Sequence, residues 1–460
     1  MKSLTQKTVL IFLLLSKALW SQTAPTLNEL IDSALIHDSR LIQQKLENQL
    51  TLLDDERLKD VFLPKVDLTG KTGYLYTSAN IKMPGLDISP EVYIPERNNH
   101  LNISGFSAMA KAEASMLIYS GGKVKYLKEA NKEKSISEQL LMEKTYDDVV
   151  SEISKLYDQI ALLNQTEIVL DEAKKRLDIN KKTAEKALGY GLITPYDNQK
   201  IELAQAVLDS KIIEFHGKRE LLFTQLNLLT GIEKERLQLI EPNLETIDYL
   251  IGEGDIQNRA EIKALEHGIL AAENKIKAEE KWWIPKVMAQ TSLTYIGLFD
   301  SHITTSKELI YGTGRKLDWR PSSLNVFPVF QAGIGFKWDI FDGNEGKTMV
   351  QEAQINKEIL KAKKTDAERM LKLNLANNQT NYDIANAQIE VKLKQVEIAE
   401  KALVNVEKEF RYGTKIASDL IEAENDLVNS QLELLTAIFN QRRNAVELMK
   451  STQDLNINKL

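Results

Sequence analysis

The sequence repeats itself once. Leu63-Pro64-Lys65-Val66 returns as Ile284-Pro285-Lys286-Val287, displaced by 221 residues. Tyr119-Ser120-Gly121 returns as Phe341-Asp342-Gly343, and Tyr190-Gly191 with Asp197 returns as Tyr412-Gly413 with Asp419, both displaced by 222. The landmarks are punctuation residues, not helix filler, so their common order and offset mark a real duplication. The chain must therefore build one structural unit twice. The first repeat is placed at 22–254 and the second at 255–460. Each reads as helix, β segment, loop, β segment, long helix, tight turn and returning helix.

Proline spacing shows how long those helices can be. None occurs between Pro95 and Pro195, and none after Pro328. Proline breaks helix interiors, so two very long tracts are open, about 124–189 and 344–411. At 1.5 Å per residue each spans ~100 Å. Apolar residues recur at spacings of three and four, as in Val396, Ala399, Leu403, Val406 and Phe410, or Tyr146, Val149, Ile153, Tyr157, Ile160 and Leu163. That is the seam of a coiled coil. The returning helices, about 195–230 and 417–450, are shorter. Initial helices at about 27–61 and 255–283 can stack on them end to end to match the length.

The β segments alternate with period two. Val66, Leu68, Tyr74 and Tyr76 lie between Lys65, Asp67 and Lys71. Phe106, the alanines from Ala108 to Ala114, Met116 and Ile118 alternate with Ser107, Lys111, Glu113 and Ser115. Phe330, Ile334, Phe336, Trp338 and Ile340 alternate with Gln331, Lys337 and Asp339, while 287–297 is less regular. Such segments match the ~10 residues a tilted strand needs to cross a bilayer. Charges in mid-strand on one face suit a water-filled barrel. Phe62, Trp282, Trp283, Tyr119, Trp338 and Phe341 cluster at one end of the strands, as in an interfacial girdle. The hairpins are placed at 65–119 and 286–341, with long outer loops at 77–99 and about 298–328. Four strands cannot close a membrane barrel, and an open edge leaves backbone groups unpaired in lipid. The chain is therefore expected to oligomerise with cyclic symmetry.

The amino terminus agrees with export. Lys2 and Lys7 precede the apolar run Val9 to Leu15, and small residues follow at Ala18 and Ser21. This is the layout of a signal peptide over 1–21, cut near Ser21–Gln22. There is no Cys, which excludes disulfides, thiol catalysis and a lipid anchored on an N-terminal cysteine. Net charge is −7, and loss of the three leader lysines takes it to −10. An acidic exported chain lacks the basic footprint of a nucleic-acid binder.

Taken together, these features resemble the TolC-like outer-membrane factor family. The resemblance is carried by Thr26 to Leu35, the two Pro-Lys-Val strand starts, Tyr119-Ser120-Gly121-Gly122-Lys123 and the two Tyr-Gly turns, and it covers nearly all of the mature chain. It implies an α+β membrane protein, a long antiparallel coiled-coil barrel with four transmembrane strands per subunit. Three subunits would give a 12-stranded β-barrel in the outer membrane and a 12-helix tunnel in the periplasm. Residues 231–254 and the C-terminal tail would form an equatorial belt. The implied function is the passive exit duct of a tripartite efflux pump or type I secretion system. The implied partners are a periplasmic adaptor and an inner-membrane pump of the RND, ABC or MFS type, with no cofactor.

The resemblance also assigns site residues at the turns, near 190–197 and 412–419. Asp419 and Glu422 would form the pore gate, six carboxylates in a trimer, drawing cations to the mouth. Lys415 and Asp197, with Phe410 beside them, would lock the tip. Lysine replaces the arginine better suited to several fixed hydrogen bonds, and Phe410 has no hydroxyl, so a looser lock is expected. Gly191, Leu192, Thr194, Gly413, Thr414 and Ser418 would meet the adaptor.

Other readings fit less of the chain. A structural coiled-coil protein accounts for the helices but not for the leader or the amphipathic strands. Gly343-Asn344-Glu345-Gly346-Lys347-Thr348 resembles a phosphate loop, but Phe341 stands where its first glycine is needed. The five histidines are scattered, with no paired-ligand spacing and no Met or His cluster for metal cargo. No catalytic constellation is evident.

Overall fold

The structure is a computed structural model that describes residues 23–89, 92–94, 96–191, 193–249, 256–308, 312–452 and 455. The leader expected at 1–21, the tip residue Leu192 and the repeat boundary at 254–255 lie outside the described residues. The chain divides into two compact units. One comprises Leu52–Lys132 and Leu270–Lys357, the other the remaining segments.

The first unit carries the sheet. Its strands are β1 (Lys65–Met83), β2 (Leu86–Ser89), β3 (Val92–Ile94), β4 (Arg97–Tyr119), β5 (Lys286–Thr305), β6 (Asp318–Trp319) and β7 (Ser323–Lys337). The main strands run antiparallel in the order β1–β4–β5–β7. β2 pairs with β3, and β6 pairs with the far end of β5. Much of what read as outer loop is thus strand, because ladder pairing continues to Met83 with Arg97 and to Leu101 with Thr305, beyond the clearest alternation. At the other end β7 stops at Lys337, short of the expected 340. There the Trp338 indole N–H leaves the strand pattern and donates to the Trp283 carbonyl at 2.9 Å.

Register sorts the two faces. One rung joins Leu68, Ala112, Leu293 and Phe330; the next joins Asp67, Glu113, Ser292 and Gln331. The irregular segment 287–297 now falls into place. Val287, Ala289, Thr291 and Leu293 share the apolar face, and Gln290 and Ser292 the polar one. On the polar face Glu113 faces Asp67, a like-charge pair that costs stability. Lys111 and Gln290 both contact the Glu113 carboxylate and offset that repulsion. Val66, Leu68, Phe330, Ile334 and Phe336 stand exposed on the apolar face. The outer edges of β1 and β7 have no strand partner among the described residues.

The second unit is helical. Where one helix was expected over 27–61 there are two, α1 (Leu27–His37) and α2 (Ser39–Asp60). Asp38 parts them: its carboxylate accepts from the backbone N–H of Arg40 (2.8 Å) and Leu41 (3.1 Å), capping the second helix. Next come α3 (Lys123–Gly189), α4 (Pro195–Thr230), the short α5 (Lys234–Leu237), α6 (Ala260–Glu279), α7 (Glu345–Arg411) and α8 (Ala417–Thr452). α3 and α7 both have 67 residues, α4 and α8 both have 36. Start for start and end for end they are displaced by 222 residues, without a gap.

Apolar clusters join these helices. Leu30 and Ile31 of α1 pack with Val149, Ile153 and Ile160 of α3 and Leu226 of α4. Ser33 Oγ donates to the Thr230 carbonyl at 2.6 Å, which brings α1 to the end of α4. The segment after α5 runs across α7 and α8. There Gln441, fully buried, donates to the Ile247 carbonyl (2.8 Å) and accepts its N–H (3.0 Å). Tyr382 donates its hydroxyl to the same carbonyl and accepts from Tyr249 N–H. These bonds satisfy a buried irregular backbone that has no helix or sheet of its own.

Candidate functional site at the helical turns

Both long helices end on a glycine that only the left-handed region suits. Gly191 has φ 72° and Gly413 φ 75°, a conformation glycine adopts without steric cost. At the second turn Gly413 N–H donates to Phe410 O (3.0 Å) and Thr414 N–H to Glu409 O (2.9 Å). This is a Schellman closure, which satisfies the last carbonyls of α7. At the first, Gly191 N–H donates to Leu188 O at 2.9 Å.

The returning helices then start differently. Thr194 caps α4: its hydroxyl oxygen accepts from Asp197 N–H (3.2 Å). Thr194 N–H (3.1 Å) and O–H (2.6 Å) both donate to Asp197 Oδ2. This is a complete capping box, with Pro195 in the first turn, where its missing N–H costs nothing. At α8 the equivalent cap is Ile416, which has no hydroxyl. Asp419 keeps only a 3.4 Å contact from Ile416 N–H, and the Lys415 ammonium stands 3.7 Å from its Oδ2. Glu422, one turn on, is exposed.

Asp419 and Glu422, the residues expected at a gate, are therefore neighbours on α8. No ion pair joins Lys415 to Asp197 among the described residues: each has another partner in the subunit. Phe410 is buried, packed with Ala184, Ile201, Leu403, Ala417, Leu420 and Leu427. It packs beneath the turn as part of the apolar core. Burying such a side chain is worth about 2–3 kcal/mol. Thr414 Oγ1 turns back to donate to Glu409 O at 2.9 Å.

Lys200 is a functional candidate that motif reading missed. Its ammonium donates to Ser418 Oγ, bridging α4 to α8, and lies 4.7 Å over the Tyr196 ring. The signal was present in the repeat, where Lys200 aligns with Glu422 and the copies carry opposite charge. Farther along, three ion pairs tie α3 to α8. Arg176 Nε donates to Glu424 at 3.0 Å, Arg442 Nε to Asp158 at 2.9 Å, and Lys450 pairs with Asp148 at 2.6 Å. Arg442 also donates to the Glu245 carbonyl at 2.8 Å. Burial pushes the Glu424 and Asp158 carboxyls above their ordinary range, and the guanidinium beside each opposes that shift. No group of side chains among the described residues could hold a metal ion. No described helix is long and apolar enough to cross a membrane.

Long antiparallel amphipathic strands, together with long helices ending in glycine turns, make a fold that solved outer-membrane channels share. Solved structures with this fold include CusC, described in terms of transmembrane channel formation (TM-score 0.70, 15% identity, 93% of this chain and 91% of that one). VceC of Vibrio cholerae gives TM-score 0.68 at 15% identity, over 93% of this chain and 95% of that one. The CmeC channel of Campylobacter jejuni gives 0.70 at 14% identity, over 93% and 86%. At these identities the likeness establishes the fold. No curated protein matches the chain by sequence. Residues 255–452, the second copy of the repeat, match the model of the family described as outer membrane efflux protein.

Proposed function

We propose that the chain is one subunit of a homotrimeric outer-membrane channel, the passive exit duct of a tripartite efflux pump or type I secretion system. The observation that carries this reading is the sheet of four long strands, whose outer edges on β1 and β7 have no strand partner among the described residues, with its exposed apolar face. In lipid, unpaired edges are not tolerated. Three copies, edge to edge, close twelve strands and line the inside with the rung of Asp67, Glu113, Ser292 and Gln331. The repeats at 22–254 and 255–460, preceded by a leader over 1–21, supply six turns to the periplasmic end. Energy comes from an inner-membrane partner of the RND, ABC or MFS type.

In this reading Asp419 and Glu422 form a cation-attracting gate. Gly191, Thr194, Gly413, Thr414 and Ser418, with exposed Tyr190 and Tyr412 beside them, face the adaptor. A Lys415–Asp197 lock requires both residues to exchange their partners within the subunit, so it belongs to the assembled tip. Single-channel recording in planar bilayers tests the gate. Asp419→Ala/Glu422→Ala is expected to abolish block by divalent cations; unchanged block removes the assignment. Lys415→Ala is expected to raise conductance if the lock forms. Recovery of the protein in the soluble periplasmic fraction would sink the channel reading and favour a structural coiled-coil protein.

A further inference from the structure

The sheet treats its two like-charged pairs differently. Asp67 and Glu113 face each other, and Lys111 and Gln290 both contact the Glu113 carboxylate. Nearer the strand ends, on the same polar face, Lys286 of β5 is paired directly with Lys337 of β7. Like charges placed opposite one another cost stability. Lys337 reaches Asp339 at 3.5 Å yet its side chain stays 69% exposed. Lys286 has no acidic partner among the described residues. The surroundings leave room. Between Lys337 and Gln331 this face of β7 carries only Gly333 and Gly335, and a Cβ at either would meet nothing within 4 Å. Opposite the glycines stand Gln290 and Met288. The result is an open bay with two ammonium groups at one end and bare backbone on half of its floor.

The wider face agrees in sign. From the rung of Lys286 to the rung of Lys71 it carries five lysines (Lys65, Lys71, Lys111, Lys286 and Lys337) against two acids, Asp67 and Glu113. The chain as a whole is acidic, with net charge −7, so the excess of base is local. We infer that Lys286 and Lys337 form a docking site for a multiply charged anion, a phosphate or carboxylate group borne by the cargo. Two ammonium groups on facing ladder positions supply charge-assisted donors to one such group. Its arrival relieves the repulsion that the ladder imposes, and the glycines clear space for the body attached to it. In the channel reading this face lines the lumen, where rings of lysine favour anions. The site is opposite in sign to the gate proposed at Asp419 and Glu422.

This inference rests on the channel reading, and its test separates the two. The full chain is inserted in planar bilayers, and tripolyphosphate or citrate is added to one side and then the other. Tripolyphosphate is expected to block the current, less so as salt is raised, because salt screens exposed charge. Lys286→Gln/Lys337→Gln should raise the half-blocking concentration roughly tenfold or more, through loss of charge-assisted bonds. Lys286→Arg/Lys337→Arg should keep the block. Block by both anions at similar concentration means that the site reads charge; block by one alone names phosphate or carboxylate as the group. Gly335→Asp puts a carboxylate on the open floor and leaves both lysines in place. It should weaken the block as the glutamine pair does, and it decides the matter if that pair gives no channels. Wild-type channels that neither anion blocks, or a block unmoved by Gly335→Asp and by the glutamine pair, overturn the site alone. A wild-type chain that forms no channels overturns the channel reading and the site with it.

Discussion

At the first turn Thr194 and Asp197 exchange three hydrogen bonds, whereas at the second Ile416 leaves Asp419 with a single long contact from the backbone. Glycine, aspartate and helix phase are shared between the two. What differs is whether the aspartate is engaged by its own cap. In the first copy it serves the helix. In the second it is left facing Lys415, with Glu422 exposed one turn away. The duplication conserves the turn as a scaffold and releases a carboxylate from structural duty in one copy only. The pattern extends up the helices, where Arg442 and Asp158 are buried together while their counterparts Glu220 and Thr380 are exposed.

That asymmetry can be broken, most strongly at the buried pair. Arg442→Ala strands the Asp158 carboxylate in a buried site and is expected to cost about 3–5 kcal/mol. Glu220→Ala, at the equivalent surface position, should stay within about 0.5 kcal/mol. Chemical denaturation of the helical unit in detergent measures both. Equal effects would mean that the copies carry load alike. Lys200→Met removes the bridge to Ser418 but keeps the aliphatic stem. It should loosen the tips by about 1–2 kcal/mol, read as faster hydrogen exchange around residues 195–201 and 417–423. No change would reduce Lys200 to a surface lysine.

A sharper comparison exchanges the caps. Thr194→Ala should destabilise the first turn by about 1 kcal/mol. Ile416→Thr should complete the second capping box and gain a similar amount, drawing Asp419 back from Lys415. If the divalent block expected of the proposed channel is the same with Ile416→Thr, the release of Asp419 has no bearing on gating.

An effect confined to one range of pH is expected at Asp147, whose counterpart is Arg369. Burial raises the Asp147 carboxyl from 3.8 to about 6, with Arg259 and Lys450 opposing the shift and Glu261 and Asp148 reinforcing it. Because the folded value lies above the unfolded one, the fold favours the protonated acid. The penalty for the anion is absent below 3.8, builds between 3.8 and about 6, and is complete above that. Asp147→Asn should therefore stabilise the protein near neutral pH by about 1 kcal/mol, allowing for solvent screening of a half-exposed group. It should do nothing in acid. A gain of the same size at both ends of that range would exclude the titration as its cause.

The architecture was legible wherever periodicity or punctuation encodes it. Both returning helices and both glycine turns could be placed because proline and glycine mark them directly. Strand lengths were not legible, because the outer parts of β1 and β5 lack strong alternation and are held by ladder pairing instead. The break at Asp38 was hidden within a helical pattern, since one carboxylate accepting two backbone N–H groups leaves no periodic trace. At the turns, the sequence could nominate Phe410 and Lys415 but not say where they point. Phe410 proved to be core because the apolar spacing it shares with Leu403 belongs to the packed face. Lys200 was overlooked because its partner, Ser418, lies far along the chain.

The matched lengths of the two hairpins also set a rule for how such a chain can change. α3 and α7 each have 67 residues, and α4 and α8 each have 36. A deletion confined to one arm shifts that arm's seam out of phase with its neighbours. A deletion matched within one hairpin restores phase but leaves its turn one step short of the other. Only a change made in all four helices, in units of the seven-residue repeat, keeps both turns level. The reach of the helical hairpins can therefore vary only in coarse, coordinated steps, and the loops are left as the place where length is free to drift.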